Sequence, residues 1–329
     1  MTKTLVNFRE VKKYFPVKRS FLEGLLAKES RYVRAVDGVS LEIKDREIFS
    51  LVGESGSGKT TLGKLGLRVY APTSGSVSFD GTDISKLHGG ELEVFRRSAQ
   101  MVYQDPVAAL NPRTRVGEAI KEPLGFNKVG DKEEQRETAI KIIERVGFDK
   151  AEDFYRRFPH ELSGGQRQRV VIARSLILRP RFVVADEPVA MLDVSIRAQI
   201  LELLIELKKE MNLTLLVITH DLALAKYLAD GIAIMYLGQI VESATRTDLF
   251  RNPLHPYTKA LLSAVPIPDP ERRRDRLVIQ GEIPSAITPP SGCRFHPRCP
   301  FAFDRCKVDV PELVEREPGH FVSCHLYDK

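Results

Sequence analysis

The sequence predicts an α/β protein, a parallel sheet wrapped by helices, with a small cysteine- and proline-rich domain at its C-terminal end. Three observations predict it. Short apolar runs recur with helical segments between them, the pattern of a parallel sheet whose crossovers are helices. One of those runs, Ile48-Phe-Ser-Leu-Val52, leads straight into a glycine-rich turn. All four cysteines lie at or beyond Cys293.

Taken in order, Leu5 to Val11 and Ala35 to Ile43 alternate as strands do. Between them Pro16 to Arg34 is basic and contains Phe21-Leu-Glu-Gly-Leu-Leu26. It reads as a hairpin excursion, either a solvated loop or a surface for a partner or a membrane. Ile48 to Val52 is a buried strand, and Val77 to Phe79 and Ala99 to Tyr103 are short ones. Arg113 to about Phe158 is mostly helical, broken at Pro123 and at Asn127 to Asp131, with helical spacing at Ala139, Ile142, Ile143 and Val146. Gln166 to Leu178 is a helix that stops ahead of Pro180. Arg181 to Ala185 is a buried strand. Ile196 to Glu210 is an amphipathic helix, apolar at Ile196, Ile200, Leu203, Leu204 and Leu207. Leu213 to Ile218 is a buried strand and Leu222 to Ala229 a helix. Near Phe250 the texture changes, and ten prolines between positions 253 and 300 lead into the cysteines. The expected domains are residues 1–250, with a helical subdomain over about 104–180, and 251–329.

The 329 residues are 43% hydrophobic, enough for a sizeable core, and carry a net charge of +6. That charge permits contact with anionic surfaces without requiring it. No run approaches the ~18 apolar residues of a membrane span. The N-terminal residues lack an apolar signal core, so a soluble, cytoplasmic chain is expected. In that setting clustered cysteines point to a metal rather than to disulfides.

Three motifs carry chemistry. Gly53-Glu-Ser-Gly-Ser-Gly-Lys-Thr60 fits the phosphate-binding pattern G-x-x-x-x-G-K-[ST] between a strand and a helix. Its glycines, Gly53, Gly56 and Gly58, let the backbone curl around Ser55 and Ser57 so that N–H groups point at phosphate oxygens. Lys59 would reach the terminal phosphates, the Thr60 hydroxyl would bind Mg²⁺, and Thr61 follows in the helix. The strand Phe182-Val-Val-Ala-Asp-Glu187 ends in two carboxylates. Asp186 would hold Mg²⁺, largely through water, and Glu187 would polarise the attacking water. Leu162-Ser-Gly-Gly-Gln166 opens a helix with a serine and two glycines, an anion-binding start.

These motifs in this order resemble the ATP-binding-cassette (ABC) ATPases, in which Ser163, Gly164, Gly165 and Gln166 are similar to the signature motif. The resemblance implies a P-loop core with an antiparallel β subdomain and a helical subdomain. It implies that Gln104 is the glutamine touching Mg²⁺ and the attacking water, and that His220 contacts the γ-phosphate. Met191-Leu192-Asp193 is similar to the D-loop, with Met191 where alanine is usual and Asp193 retained. Tyr14 matches the aromatic that stacks on adenine, and Thr61 follows Thr60 where Lys-Ser-Thr is commoner. A head-to-tail dimer is implied too. In it, the signature of one chain bonds the γ-phosphate held by the other's P-loop, so that ATP closes the dimer and hydrolysis opens it.

Asn252-Pro-Leu-His-Pro-Tyr-Thr-Lys-Ala-Leu-Leu262 narrows the resemblance to the ATPases of oligopeptide/dipeptide importers. Asn111-Pro-Arg-Thr-Arg-Val-Gly117, Phe158-Pro-His-Glu-Leu-Ser163, Met235-Tyr-Leu-Gly-Gln-Ile-Val-Glu242 and Gly292-Cys-Arg-Phe-His-Pro-Arg-Cys-Pro300 agree with it. Phe15-Pro-Val-Lys18 looks more like the F-type subunit than the D-type. The family implies a peripheral protein on the cytoplasmic face of the cell membrane. Its partners would be a second ATPase of D-type, two membrane permeases and, indirectly, an extracytoplasmic binding protein, with no nucleic acid. Peptides are the expected cargo; relatives also serve oligosaccharides or nickel. A soluble ABC ATPase acting on nucleic acid or ribosomes fits less well, because the about 100 residues between P-loop and signature hold no sustained heptads.

Cys293, Cys299, Cys306 and Cys324 are separated by five, six and seventeen residues, unlike the C-x₂-C of zinc ribbons. Four thiolates suit zinc or an iron–sulfur cluster. The resemblance favours a 4Fe–4S cluster, since several relatives are similar in carrying one. His296, His320 and His325 read as hydrogen-bonding or surface residues rather than ligands.

Overall fold

A computed structural model describes residues 3–17, 31–264, 277 and 279–328. The apolar segment Phe21 to Leu26 lies outside them. In chain order the strands are β1 (Thr4–Pro16), β2 (Tyr32–Lys44), β3 (Ile48–Val52), β4 (Ser74–Phe79), β5 (Thr82–Asp83), β6 (Ala99–Val102), β7 (Phe182–Asp186), β8 (Thr214–Thr219), β9 (Gly231–Tyr236), β10 (Gln239–Thr245), β11 (Val314–Glu317) and β12 (His320–Val322). The helices used below are α1 (Lys59–Gly66), α2 (Val116–Phe126), α3 (Lys132–Arg145), α4 (Gly164–Leu176), α5 (Val194–Met211) and α6 (Pro256–Ala264). The chain divides into two compact units, one made of Thr4–Ile43, Phe49–Ser85 and Thr219–Lys329, the other of Met1–Lys3, Lys44–Ile48 and Lys86–Ile218.

The first unit holds an antiparallel sheet in the order β2-β1-β4-β5. Leu5, Val6, Phe8 and Val11 of β1 are buried, and Val6 stands opposite Phe79 of β4. A bulge between Arg9 and Lys12 puts Glu10 at φ 46°. Gly75 must face it as glycine, because a Cβ there would lie 2.3 Å from the Glu10 carbonyl oxygen. The expected hairpin is present at its base, where the Val17 N–H donates to the Arg31 carbonyl at 3.0 Å. A second sheet in this unit runs β11-β12-β10-β9-β3. β3 and β9 are parallel, with Leu51 opposite Ala233. β9 and β10 form a hairpin, and β12 pairs with β10 at Glu242 and Ser243. The C-terminal segment thus extends a sheet begun by β3.

In the second unit β8, β7 and β6 are parallel neighbours. Every residue of β7 and β8 is buried, as expected of strands covered on both faces. The helices around them follow the predicted periodicities with one exception. Pro123 does not break the chain but sits inside α2. Ala119, Ile120 and Leu124 bury the apolar face across it, and the helix ends where Asn127 donates to the Pro123 carbonyl through both its backbone N–H, at 3.2 Å, and its side chain, at 2.8 Å. The predicted break at Asn127 to Asp131 is real, and Asp131 then caps α3 in a reciprocal box with Glu134. Among the described residues no helix is long and apolar enough to cross a membrane.

Candidate active site

The phosphate loop sits between β3 and α1. Gly56 and Gly58 take φ of 78° and 102°, conformations costly for any residue with a side chain. Gly53 and Gly58 are needed for a second reason. A Cβ at Gly53 would lie 2.1 Å from the Met235 carbonyl oxygen, and one at Gly58 would lie 2.0 Å from that of Ala35. The loop is therefore pressed against neighbouring backbone. Lys59 is buried, and its ammonium donates to the carbonyls of Gly53 at 2.7 Å and Glu54 at 2.9 Å, close to Ser57 Oγ at 3.4 Å. Thr60 and Thr61 open the helix behind it, while Ser55 and Gly56 are exposed at the rim.

Tyr14, half-buried on β1, donates its hydroxyl to Asp37 Oδ1, and the Arg34 guanidinium lies 5.9 Å from its ring centre. Burial and the Asp37 carboxylate push the Tyr14 hydroxyl up to about 12. Asp37 also receives Arg294, buried on the cysteine-bearing loop. A second arginine of that loop, Arg298, grips the Glu54 carboxylate at 2.8 and 3.2 Å. No local pattern marks Asp37, Glu54, Arg294 or Arg298 as members of a site. The one sequence hint is that each arginine adjoins a cysteine, Arg294 after Cys293 and Arg298 before Cys299.

At the end of β7, Asp186 is buried and Glu187 adopts φ 44°. The Glu187 N–H is tied to the Ile218 carbonyl at 2.9 Å. Gln104, just beyond β6, donates Nε2 to Glu187 Oε2 at 3.3 Å. The structure thus brings together these two residues, which the sequence separates by 83 positions. Further on, the Leu192 N–H closes a turn on Val189, and Asp193 precedes α5 without capping it through its side chain. Met191 and Val194, either side of it, are 64% and 81% exposed. His220 is exposed directly after β8, and Asp221 beside it caps the next helix through Ala223 N–H at 2.8 Å.

Ser163 is the N-cap of α4. Its hydroxyl accepts from Gln166 N–H at 3.3 Å, while the Gln166 side chain accepts from Ser163 N–H at 3.0 Å. Gly165 is needed for packing, since a Cβ there would lie 2.5 Å from Ile196 on α5. Ser163, Gly165 and Gln166 border a cavity of about 480 Å³ that also has Lys150, Arg157 and Arg169 on its wall. Asp149 is on that wall too, and the net positive lining beside the α4 N-terminus makes a concavity suited to an anion.

The cysteines depart from expectation. Among the described residues no group of three or more His, Cys, Asp or Glu side chains is arranged to hold a metal ion, and Cys293, Cys299, Cys306 and Cys324 are free thiols. The expected metal site on these cysteines, 4Fe–4S cluster or zinc, is therefore not seen in their arrangement. Burial, reinforced by the neighbouring cysteines, pushes the thiol of Cys293 up to about 11 and that of Cys324 up to about 12. The histidines make hydrogen bonds: His320 Nε2 to Glu242 at 2.8 Å, His325 to Asp328 at 2.7 Å, and His296 to the Cys293 carbonyl at 2.9 Å.

Comparison with known proteins agrees with this geometry. The "ABC transporter" family model matches residues 36–190, and "Oligopeptide/dipeptide transporter, C-terminal region" matches residues 241–306. The oligopeptide transport ATP-binding protein AppF of Bacillus subtilis is 47% identical over 327 residues, 98% of each chain. Among solved structures, the dimeric, post-hydrolysis ATP-binding cassette MJ0796 bound to ADP and Pi is similar with TM-score 0.63 and 31% identity, covering 74% of this chain and 99% of that one. The cassette cbiO1 from Clostridium perfringens, part of the transporter complex cbiONQ, gives TM-score 0.64 at 25% identity over 76% of this chain and 92% of its own. With that extent of identity added to a phosphate loop, an acidic strand end and a signature helix, this chain belongs to the ATP-binding subunits of ABC transporters and is an ATPase.

Proposed function

We propose that the chain is the motor subunit of an importer for di- and oligopeptides, with the following division of labour. The N–H groups of Gly53 to Thr60 and the Lys59 ammonium hold the phosphates of ATP, and Tyr14 stacks on adenine. Thr60, Asp186 and Gln104 hold Mg²⁺, which supplies charge neutralisation on the phosphates when bound. Glu187 takes a proton from the water that attacks the γ-phosphorus. The bond to the ADP oxygen breaks, inorganic phosphate leaves, and the proton passes on to solvent. His220 bonds the γ-phosphate. Ser163, Gly164 and Gly165 serve the ATP of a second chain, which the basic wall of the signature cavity and the exposed Met191 and Val194 beside Asp193 support.

The observation that carries this reading is Glu187. A glutamate at φ 44° is strained, and it is held so by a backbone bond to Ile218 and by Gln104. Such a backbone costs of order 1–3 kcal/mol; among the described residues eight other non-glycine residues share positive φ, so the bond to Gln104 is what singles Glu187 out.

Peptide cargo follows from the matched C-terminal region and from the name of the 47% identical relative. The same evidence supports residues 251–329 as an importer-type domain on a cassette of residues 1–250. It also supports a peripheral position on membrane permeases beside a second ATPase; the proposal that this chain is the F-type and its partner the D-type rests on Phe15-Pro-Val-Lys18. The cysteine lobe is proposed to take a 4Fe–4S cluster rather than a single ion. In support, all four thiols act on one another electrostatically, and backbone N–H groups of Phe295, His296, Phe301 and Leu326 point at three of them. No step of hydrolysis runs through that lobe. Visible charge-transfer absorption in anaerobically purified protein tests the cluster; a colourless, iron-free protein refutes it.

For the motor itself the test is capture. Tagged Glu187→Gln protein, loaded with Mg-ATP and recovered from detergent-solubilised membranes, is expected to bring two multi-span permeases and a second ATPase. Recovery of ribosomes, nucleic acid or soluble proteins alone overturns the transporter reading.

A further inference from the structure

A chain of contacts ties the C-terminal lobe to the nucleotide loop within a single unit of the fold. Arg298, 9% exposed, forms a two-pronged ion pair with Glu54, the second residue of the phosphate loop, at 2.8 and 3.2 Å. The Glu54 backbone N–H donates to the hydroxyl of Tyr257 on α6 at 3.1 Å. Arg298 also reaches the Tyr236 hydroxyl at 3.4 Å. Four residues before it, Arg294 donates to Asp37, whose other oxygen receives the Tyr14 hydroxyl, and to the Leu237 carbonyl. The residue after Leu237 continues the chain of contacts. Gly238 donates to the Ser57 carbonyl of the phosphate loop at 2.8 Å and accepts from the Asp37 N–H at 2.8 Å.

The two arginines therefore divide the loop between them. Arg298 holds the phosphate end through Glu54. Arg294 holds the base end, fixing the tyrosine through Asp37 and the far side of the loop through the Leu237–Gly238 turn. Both guanidiniums are fixed planar forks, each with most of its surface buried, so moving either displaces its partner.

We propose that Arg294 and Arg298 are positioning residues of the nucleotide site, through which the cysteine-bearing lobe sets the affinity for ATP. This rests on the reading of Gly53 to Thr60 as the ATP site. Neither arginine touches the reacting atoms. Each keeps a binding surface in place, so its loss weakens nucleotide binding and leaves the chemical step intact.

The experiment uses the full chain, measuring Mg-ATP affinity by titration and steady-state hydrolysis. Variants are Arg298→Ala, Arg298→Lys, Glu54→Gln, the Arg298→Ala/Glu54→Gln pair, Arg294→Ala and, as control, Lys59→Ala. Arg298→Ala and Glu54→Gln are each expected to raise KM for ATP roughly tenfold, about 1.4 kcal/mol, with kcat within about twofold. The pair is expected to be no worse than either alone, because both remove one interaction. Arg298→Lys restores part of the loss by keeping the charge without the fork. Arg294→Ala is expected to raise KM for ATP several-fold with kcat within about twofold, and an unchanged KM removes Arg294 from the proposal. If Arg298→Ala fails to fold, Glu54→Gln and Arg298→Lys read the same contact. KM unchanged in both of these, with Lys59→Ala unable to bind ATP, overturns the proposal and leaves the ATP site standing. ATP binding unaffected by Lys59→Ala overturns the site and this proposal with it.

Discussion

The phosphate loop and the acidic end of β7 are built on opposite plans. The loop is backbone pressed on backbone: Gly53 and Gly58 admit no side chain, Lys59 is buried, and Glu54 is gripped from the C-terminal lobe. The residues proposed to serve hydrolysis instead stand at edges. Gln104, Ser163, Asp193 and His220 are exposed, and Glu187 keeps its direction through a strained backbone and a long hydrogen bond to Gln104. The contrast teaches that binding ATP needs a preassembled cradle, while hydrolysis awaits groups that complete it. On the proposed reading those groups come from a second chain.

The sharpest way to break this comparison is to remove the base and spare the cradle. Glu187→Gln is expected to lower turnover about 10²- to 10⁴-fold, the usual worth of a general base, with Mg-ATP affinity kept. Parallel loss of affinity in a binding titration would show that the two regions are one structural element after all.

The cradle itself can be graded. At Gly58 a methyl group meets the Ala35 oxygen at 2.0 Å as well as φ 102°, so Gly58→Ala is expected to abolish measurable ATP binding. At Gly56 a methyl group meets nothing, and only φ 78° opposes it. Gly56→Ala is expected to cost about 1 kcal/mol, near a fivefold rise in Kd. Equal effects at the two glycines would mean that packing against Ala35 does not shape the loop.

Acid probes the arm that holds the loop. Leu254 and His255 donate their N–H groups to the buried Glu242 at 2.7 and 2.9 Å, and that arm continues into Tyr257. Burial pushes His255 down to about 4 from 6.5, opposed by Glu242 and helped by Lys259. Because the folded value lies below the unfolded one, the unfolded chain binds the extra proton between them. The stability that comes from burying neutral His255 is whole above pH 6.5 and is lost as pH falls towards 4. The loss is of order 3 kcal/mol over that window. Urea unfolding of wild type and His255→Gln at neutral pH and at pH about 5 checks it: the gap between the two proteins must narrow in acid. A constant gap refutes the assignment.

Much of this was legible in the sequence, for local reasons. The phosphate loop is a contiguous pattern, and β7, β8 and α5 announce themselves by burial and period within their own length. What was not legible is long-range. Arg298 and Glu54 are 244 positions apart, and Arg294 and Asp37 are 257 apart. No window of sequence holds both partners. β12 is three residues long and exists because β10 offers it an edge. Pro123 misled because a helix anchored by a buried face outlasts one missing hydrogen bond. The cysteines were harder to read because spacing reports thiols, not the arrangement of their sulfurs, and among the described residues that arrangement shows no group set to hold a metal ion.

The smallest expected effect separates two uses of one serine. Ser163 caps its own helix, and the family role asks the same hydroxyl to meet a partner's phosphate. As a cap alone, Ser163→Ala costs about 1 kcal/mol of stability and leaves turnover unchanged, while Ser163→Asp restores the cap. As a phosphate ligand across a dimer, Ser163→Ala lowers turnover at protein concentrations where wild type dimerises. Ser163→Asp then lowers it further, because the carboxylate that caps the helix also repels the γ-phosphate. Hydrolysis rate against protein concentration for the two variants decides it. Restoration of both stability and turnover by aspartate would leave Ser163 a cap, and the contrast between cradle and edge would lose its clearest outward-facing member.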